Sequence, residues 1–238
     1  MTDNIAVMQP YAFPYIGYMN LVNASDKFVF YDDVNFIKKG WINRNSILLF
    51  GSPYRFSIPL KGQSQNRLIK DIRVNELEKF TDDFLKKLSS SYKNSIFKSA
   101  VLDYVRQVLG DPRQSISELA INSVKLFFKY VGVEKKFLVS SQKFSHTQDL
   151  GRLERLISIN NILGSTNYIN AISGVKLYNS ADFLSRGIDI KYVKPILLSY
   201  EHCNRRNNTF YSSLSIIDIM MNLSEGEIRN QLDSYELI

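Results

Sequence analysis

The sequence predicts an α/β protein, a Rossmann-like sheet parallel at its centre with a helical insert at about residues 75–130. Short runs of β-branched and aromatic residues alternate with stretches whose apolar residues recur every three or four positions. A strand, a loop, a helix and a second strand fit within residues 5–31, which is the length of a βαβ unit and requires parallel strands. Residues 75–130, by contrast, carry only the helical period.

The run Ile5-Ala6-Val7-Met8 reads as a buried strand that stops at Gln9-Pro10, since proline cannot donate to a sheet ladder. Pro14 can occupy the first turn of a helix reaching Ala24. Residues 27–31 form the second strand and run into Asp32-Asp33. Residues 46–50 and 54–58, separated by Gly51-Ser52-Pro53, predict a hairpin. In the insert, 76–88, 95–109 and 115–130 are helices, the last two divided at Gly110-Asp111-Pro112. Beyond it come a strand at 136–140 and a helix at 150–163 stopped by Gly164. Strands at 167–170 and 188–193 follow with a helix at 178–186 between them, and two helices, 214–222 and 225–232, close a chain expected to be one domain over residues 1–238.

The 238 residues are 45% hydrophobic and 22% charged, the balance of a globular protein with a sizeable core. The start MTDNIAVMQPYAFPYIGYM has no basic segment followed by an apolar one, so no secretory signal is expected. No stretch approaches the ~18 apolar residues that a membrane span needs, and the expected location is the cytoplasm. The single cysteine, Cys203, allows neither an internal disulfide nor a multi-cysteine zinc site. No metal-ligand spacing occurs, and no tightly bound cofactor is expected. The net charge of +7 suits an anionic ligand. Its carriers are dispersed, however, at Lys38/Lys39, Arg44, Lys86/Lys87, Lys135/Lys136 and Arg205/Arg206, and no DNA-binding motif accompanies them.

The residues most suited to chemistry lie between Gln9 and Asn45. The loop after the first strand, from Gln9 and Pro10 through Tyr11 to Tyr15, Gly17 and Tyr18, is stiffened by two prolines and opens a helix. In parallel sheets ligands bind outside the carboxyl ends of strands. Gly17 inside a helical run predicts a close approach to the backbone, and the Tyr15 and Tyr18 hydroxyls need partners. Asp32 and Asp33 end the second strand and are candidates for a general base, at most one of them facing the site. Lys38, Lys39, the lone Trp41, Asn43, Arg44 and Asn45 offer a cationic and amide-rich surface for phosphate or carboxylate. His146, between a strand and a helix, is a further catalytic candidate. Cys203 beside His202 need not form a dyad with it, and Asp218 is a polar break in an apolar helix.

The segment QPYAFPYIGYMNLVNASDKFVFYDDVNFIKKGWINRNSI resembles the signature of the WbqC-like family. The blocks NILGSTNYINAISGVKLYNSADFLSRGIDI and FYSSLSIIDIMMN are similar to the later motifs of that family, so the resemblance spans the chain. It adds Asn170 and Gly174 to the expected ligand-binding residues, with Ser173-Gly174 standing where the family commonly has Gly-Gly. A fainter similarity joins the first strand, the proline loop and Tyr15-Ile16-Gly17-Tyr18 to the HUP (nucleotidylyltransferase-like) fold, with tyrosines in place of its two histidines. A phenol with pKa near ~10 does not replace an imidazolium, which argues against nucleotidyl transfer.

Family members occur among bacterial surface-polysaccharide genes, including O-antigen clusters. The resemblance therefore implies acyl or aminoacyl transfer to a nucleotide- or lipid-linked amino sugar, with acyl-CoA, acyl-carrier protein or aminoacyl-tRNA as donor. In that scheme Asp32 or Asp33 accepts the amine proton, Tyr15, Tyr18 and the loop amides steady the carbonyl oxygen, and Arg44 with Lys38 holds a phosphate. The alternative is a non-catalytic nucleotide-sugar-binding or assembly protein of the same pathway.

Overall fold

The computed structural model describes residues 2–203 and 209–238, so Arg205 and Arg206 lie outside the described residues. The first half contains β1 (Asn4–Met8), α1 (Ile16–Ala24), β2 (Lys27–Phe30), β3 (Arg44–Leu49), β4 (Ser52–Ser57), β5 (Leu60–Lys61) and β6 (Arg73–Val74). Three long helices follow, α2 (Leu77–Ser91), α3 (Lys98–Leu109) and α4 (Ile116–Tyr130). The second half contains β7 (Lys136–Val139), α5 (Ser140–Lys143), α6 (Arg152–Ile162), β8 (Asn167–Ala171), α7 (Ser180–Leu184) and β9 (Asp189–Pro195). It closes with α8 (Ile216–Asn222), α9 (Glu225–Asp233) and β10 (Tyr235–Leu237).

The main sheet has the order β10-β9-β8-β1-β2-β7. β1 lies parallel to both β2 and β8, β7 and β9 extend the parallel set, and β10 is antiparallel at one edge. The chain grows outward from β1 to β7, then returns to lay β8 on the other side of β1. That reversal makes the β1/β8 boundary a topological switch point, where the carboxyl ends of the strands splay to leave a crevice.

Both faces of the sheet are buried, as parallel strands require. Ala6, Phe28, Phe30 and Ile169 enter the core shared with α1, the three long helices and α8. Their neighbours Ile5, Val7, Val29 and Tyr168 enter the opposite core beneath α6 and α7. The period-two alternation thus assigns each strand residue to a core. The long helices pack into the first core directly, and α4 starts with a capping box between Ser115 and Glu118.

Several predicted boundaries move for local reasons. The hairpin turns at Phe50-Gly51, both with positive φ (49° and 79°), so Ser52 and Pro53 belong to β4. A two-residue turn with both φ values positive matches the twist of the flanking strands better than a longer loop. The predicted helix at 178–186 shortens to α7, which starts where the Asn179 side chain accepts from the Ala181 amide, and a separate 3-10 turn at Ile172–Lys176 precedes it.

Candidate functional site

A cleft of about 800 Å³ opens at the carboxyl ends of β1, β2 and β8. Each wall follows from a local constraint. The loop after β2 cannot swing away, because it forms a ribbon with residues 67–70. Phe36 N–H donates to the Arg67 carbonyl at 2.9 Å, and Ile69 N–H to Val34 at 3.0 Å. Gln9 extends β1, and its backbone carbonyl accepts from the Tyr18 hydroxyl at 3.0 Å. Asn170, on β8, directs its Oδ1 to the Ala171 N–H at 2.8 Å, which leaves Nδ2 as the outward donor.

The floor is a buried charge network. Arg155, on the inner face of α6, donates to Asp33 Oδ2 at 2.6 Å and to Thr147 Oγ1 at 3.0 Å. Its guanidinium also lies 4.6 Å from the centre of the Tyr31 ring. The Asp33 side chain is fully shielded from solvent. Ser140 links both aspartates through its hydroxyl, and Asp32 Oδ1 accepts from the Ser141 N–H at 3.0 Å. Burial pushes the Tyr31 phenol up, against the opposing pull of Arg155. It likewise raises Tyr178, which Arg152 partly counters. Arg152 lines the cleft, is exposed, and makes no hydrogen bond or ion pair among the described residues.

The predicted site residues separate into three groups. Gln9, Asp33, Asn170 and Gly174 line the cleft together. A second group holds the fold. Phe13, at φ 48°, has its carbonyl bonded by Asn45 Nδ2 at 2.7 Å and Ser215 Oγ at 2.8 Å. Asn43 Nδ2 donates to Ile58 O at 2.8 Å, and Asp32 ties β2 to the start of α5. The close approach expected at Gly17 exists, but the approaching group is internal. A Cβ there would lie 2.8 Å from the Tyr15 hydroxyl oxygen, within the space of that ring. Pro10 and Tyr18 are buried in the same region, and burial raises the Tyr15 and Tyr18 phenols, so both stay protonated at neutral pH.

The third group forms a separate surface. Trp41 is half exposed, with Arg55 over its ring at 5.4 Å and Tyr11 beside it at 6.5 Å. Lys38 and Lys39 are exposed nearby, and Arg44 Nε donates to the Gly40 carbonyl at 2.8 Å. None of these residues lines the β1/β8 cleft, and His146, exposed in a short 3-10 turn, does not line it either. The residues from Gln9 to Asn45 thus divide, with Gln9 and Asp33 lining the cleft and Trp41 and Arg44 outside its lining. Trp41 follows the turn at Gly40, whose N–H bonds to Ile37 O at 3.0 Å, and is joined to the Gln9 loop through Tyr11, which packs edge-on against Tyr18 at 5.8 Å.

Arg155 and Arg152 were not singled out by the motifs. A signal existed: a basic residue between Leu153 and Leu156-Ile157 falls on the apolar face of α6, where a charge needs a partner. Asp218 is buried rather than solvent-facing. It accepts from Tyr92 at 2.5 Å and Tyr200 at 2.7 Å, and pairs with His202 Nδ1 at 2.9 Å. Burial, with Asp218 adding to it, pushes the Cys203 thiol up to about 11, far from the range of an activated nucleophile. Among the described residues, no group of His, Cys, Asp and Glu is arranged to hold a metal ion. None of the described helices is long and apolar enough to cross a membrane.

A mostly parallel α/β sheet with helical insertions and a cleft at its switch point defines a Rossmann-like protein. The chain belongs to the WbqC-like protein family, whose profile matches residues 9–230. It is also similar to a protein of Mycobacterium tuberculosis (strain ATCC 25618 / H37Rv) described as uncharacterized protein Rv1507c. The two are 21% identical over 222 residues, covering 92% of this chain and 93% of the relative. No solved structure matches the chain.

Proposed function

We propose that the protein is a cytoplasmic N-acyltransferase acting on a nucleotide- or lipid-linked amino sugar of bacterial surface-polysaccharide synthesis, with residues 1–238 working as one unit. The observation that carries this reading is that Gln9, just past β1, and Asn170, on the neighbouring β8, line one cleft with Arg152, which has no ion pair among the described residues. Acyl transfer develops negative charge on a carbonyl oxygen, and carboxamide N–H donors lining a cleft stabilise it. A phosphate of one of the two substrates pairs with Arg152. The amine must be neutral to attack, and a cleft with two guanidiniums and one already paired carboxylate disfavours the ammonium form. Asp33 acts in this reading as a positioning residue, holding Arg155 and through it Tyr31, because its shielded side chain is closed to substrate.

The shielding of Asp33 also favours a second reading, a nucleotide-sugar-binding protein without catalysis, since it removes from proton transfer the one carboxylate that lines the cleft among the described residues. Mass spectrometry of a nucleotide-linked amino sugar incubated with the protein and a panel of acyl donors separates the two. An added acyl mass, lost in Asn170→Ala, supports transfer. Tight sugar binding with no mass gain from any donor supports the binding role.

A further inference from the structure

Ile37, Leu150 and Leu177 line the cleft, yet are 52%, 45% and 62% exposed. They come from three separate segments: the loop after β2, the approach to α6 and the turn after β8. Aliphatic side chains converging on one opening around a free guanidinium match a ligand with an anionic head and an apolar arm. The same cleft is poorly suited to a cationic arm. Asp33 is its single carboxylate among the described residues, and Arg155 already holds it at 2.6 Å.

We propose that the cleft takes a pantetheine-type thioester with an aliphatic acyl chain, the phosphate at Arg152 and the chain against Leu150, Leu177 and Ile37. This rests on the acyl-transfer reading and narrows its donor, excluding an aminoacyl ester whose ammonium would find no counter-charge. The reaction is balanced without an enzymic base: the amine nitrogen bonds to the thioester carbon, the C–S bond breaks, and the nitrogen's proton goes to the departing thiolate. The products are an amide and a free thiol. The thioester can come from coenzyme A or from a carrier protein, which share this chemistry.

Titration calorimetry of the full chain with propionyl-CoA and glycyl-CoA compares two acyl groups of nearly equal size that differ in charge. Propionyl-CoA should bind about tenfold more tightly, and octanoyl-CoA about tenfold more tightly again as roughly two of its added methylenes leave water. Leu177→Ser and Leu150→Ser, both at exposed positions, should flatten the chain-length dependence, whereas Arg152→Ala should weaken every thioester alike. An octanoyl carrier protein that binds where octanoyl-CoA does not assigns the carrier as the source. Equal or tighter glycyl-CoA binding, no gain with chain length, or a gain untouched by Leu177→Ser would overturn the proposal. Transfer to an amino sugar is read separately by mass. Chain-dependent binding with no transfer from any donor removes the transferase reading but keeps the ligand class, and transfer from aminoacyl donors alone does the reverse.

Discussion

Arg155 and Asp33 form an ion pair at 2.6 Å with both side chains almost wholly shut from solvent, directly beneath the switch-point cleft. A buried pair of this kind is a weak source of net stability, but losing one partner strands the other charge in a poor solvent. Asp33→Asn should therefore lower the unfolding free energy by about 3–5 kcal/mol, read from urea denaturation. A double change, Asp33→Leu with Arg155→Met, should recover most of that loss. A base exposed to substrate would instead lose turnover with little change in stability.

Two glycines expected to serve the ligand give opposite outcomes. A Cβ at Gly174 would lie 2.9 Å from Asn170 Nδ2 and 3.0 Å from Cγ, at the lip of the cleft. Gly174→Ala should displace that carboxamide and weaken ligand binding by roughly tenfold, one lost hydrogen bond, while costing under ~1 kcal/mol of stability. Gly17→Ala meets the Tyr15 ring in a buried helix. It should cost about 1–3 kcal/mol through overpacking and leave ligand affinity unchanged. Calorimetry and denaturation on the two variants check both halves.

The parallel core was legible because residues 5–8 and 28–30 are continuous apolar runs joined by one helix, a pattern with few alternatives. The long helices were legible from their periodicity. β10 and the short pair β5 and β6 were not, since two or three residues carry no period and their pairing is decided by distant partners. In the site, Gln9 and Asp33 were reachable from strand ends. Asn45 and Asn43 looked like ligand groups for a physical reason: a buried amide bonding a distant carbonyl, as Asn45 does with Phe13, has the same composition in sequence as one bonding a substrate. Arg155 and Asp33 stand 122 positions apart, and only the fold brings them together.

Cys203 provides a pH test. Its thiol is pushed up to about 11 from an ordinary value near 9.0, burial being the main cause. The reactive thiolate is the deprotonated form, so a raised pKa delays its appearance as pH rises. Alkylation of the native protein by iodoacetamide should be slow through pH 8 and climb only as pH approaches 11, whereas the unfolded chain should react about two units lower. Fast native alkylation at pH 7 would show an activated thiol and contradict this arrangement.

Asp218 anchors Tyr200 and His202 to the core. One carboxylate oxygen accepts from Tyr92 at 2.5 Å. The other accepts from Tyr200 at 2.7 Å and pairs with His202 Nδ1 at 2.9 Å. Tyr92 in turn accepts from the Leu48 N–H at 3.0 Å, so the network joins the hairpin, α2 and α8. Asp218→Asn puts an amide N–H₂ where one of these donors needs an acceptor, and two donors then face each other in a site without water access. The expected loss is about 2–4 kcal/mol, because hydrogen bonds to a buried charge are stronger than neutral ones. The loss should be local before it is global. Hydrogen exchange should speed up first at residues 198–203, which depend on Asp218 through Tyr200 and His202, while the amides of β1 and β2 stay protected. The cleft, walled by other segments, should keep its ligand affinity in this variant. A parallel loss of binding would mean that residues 198–203 help to shape the cleft.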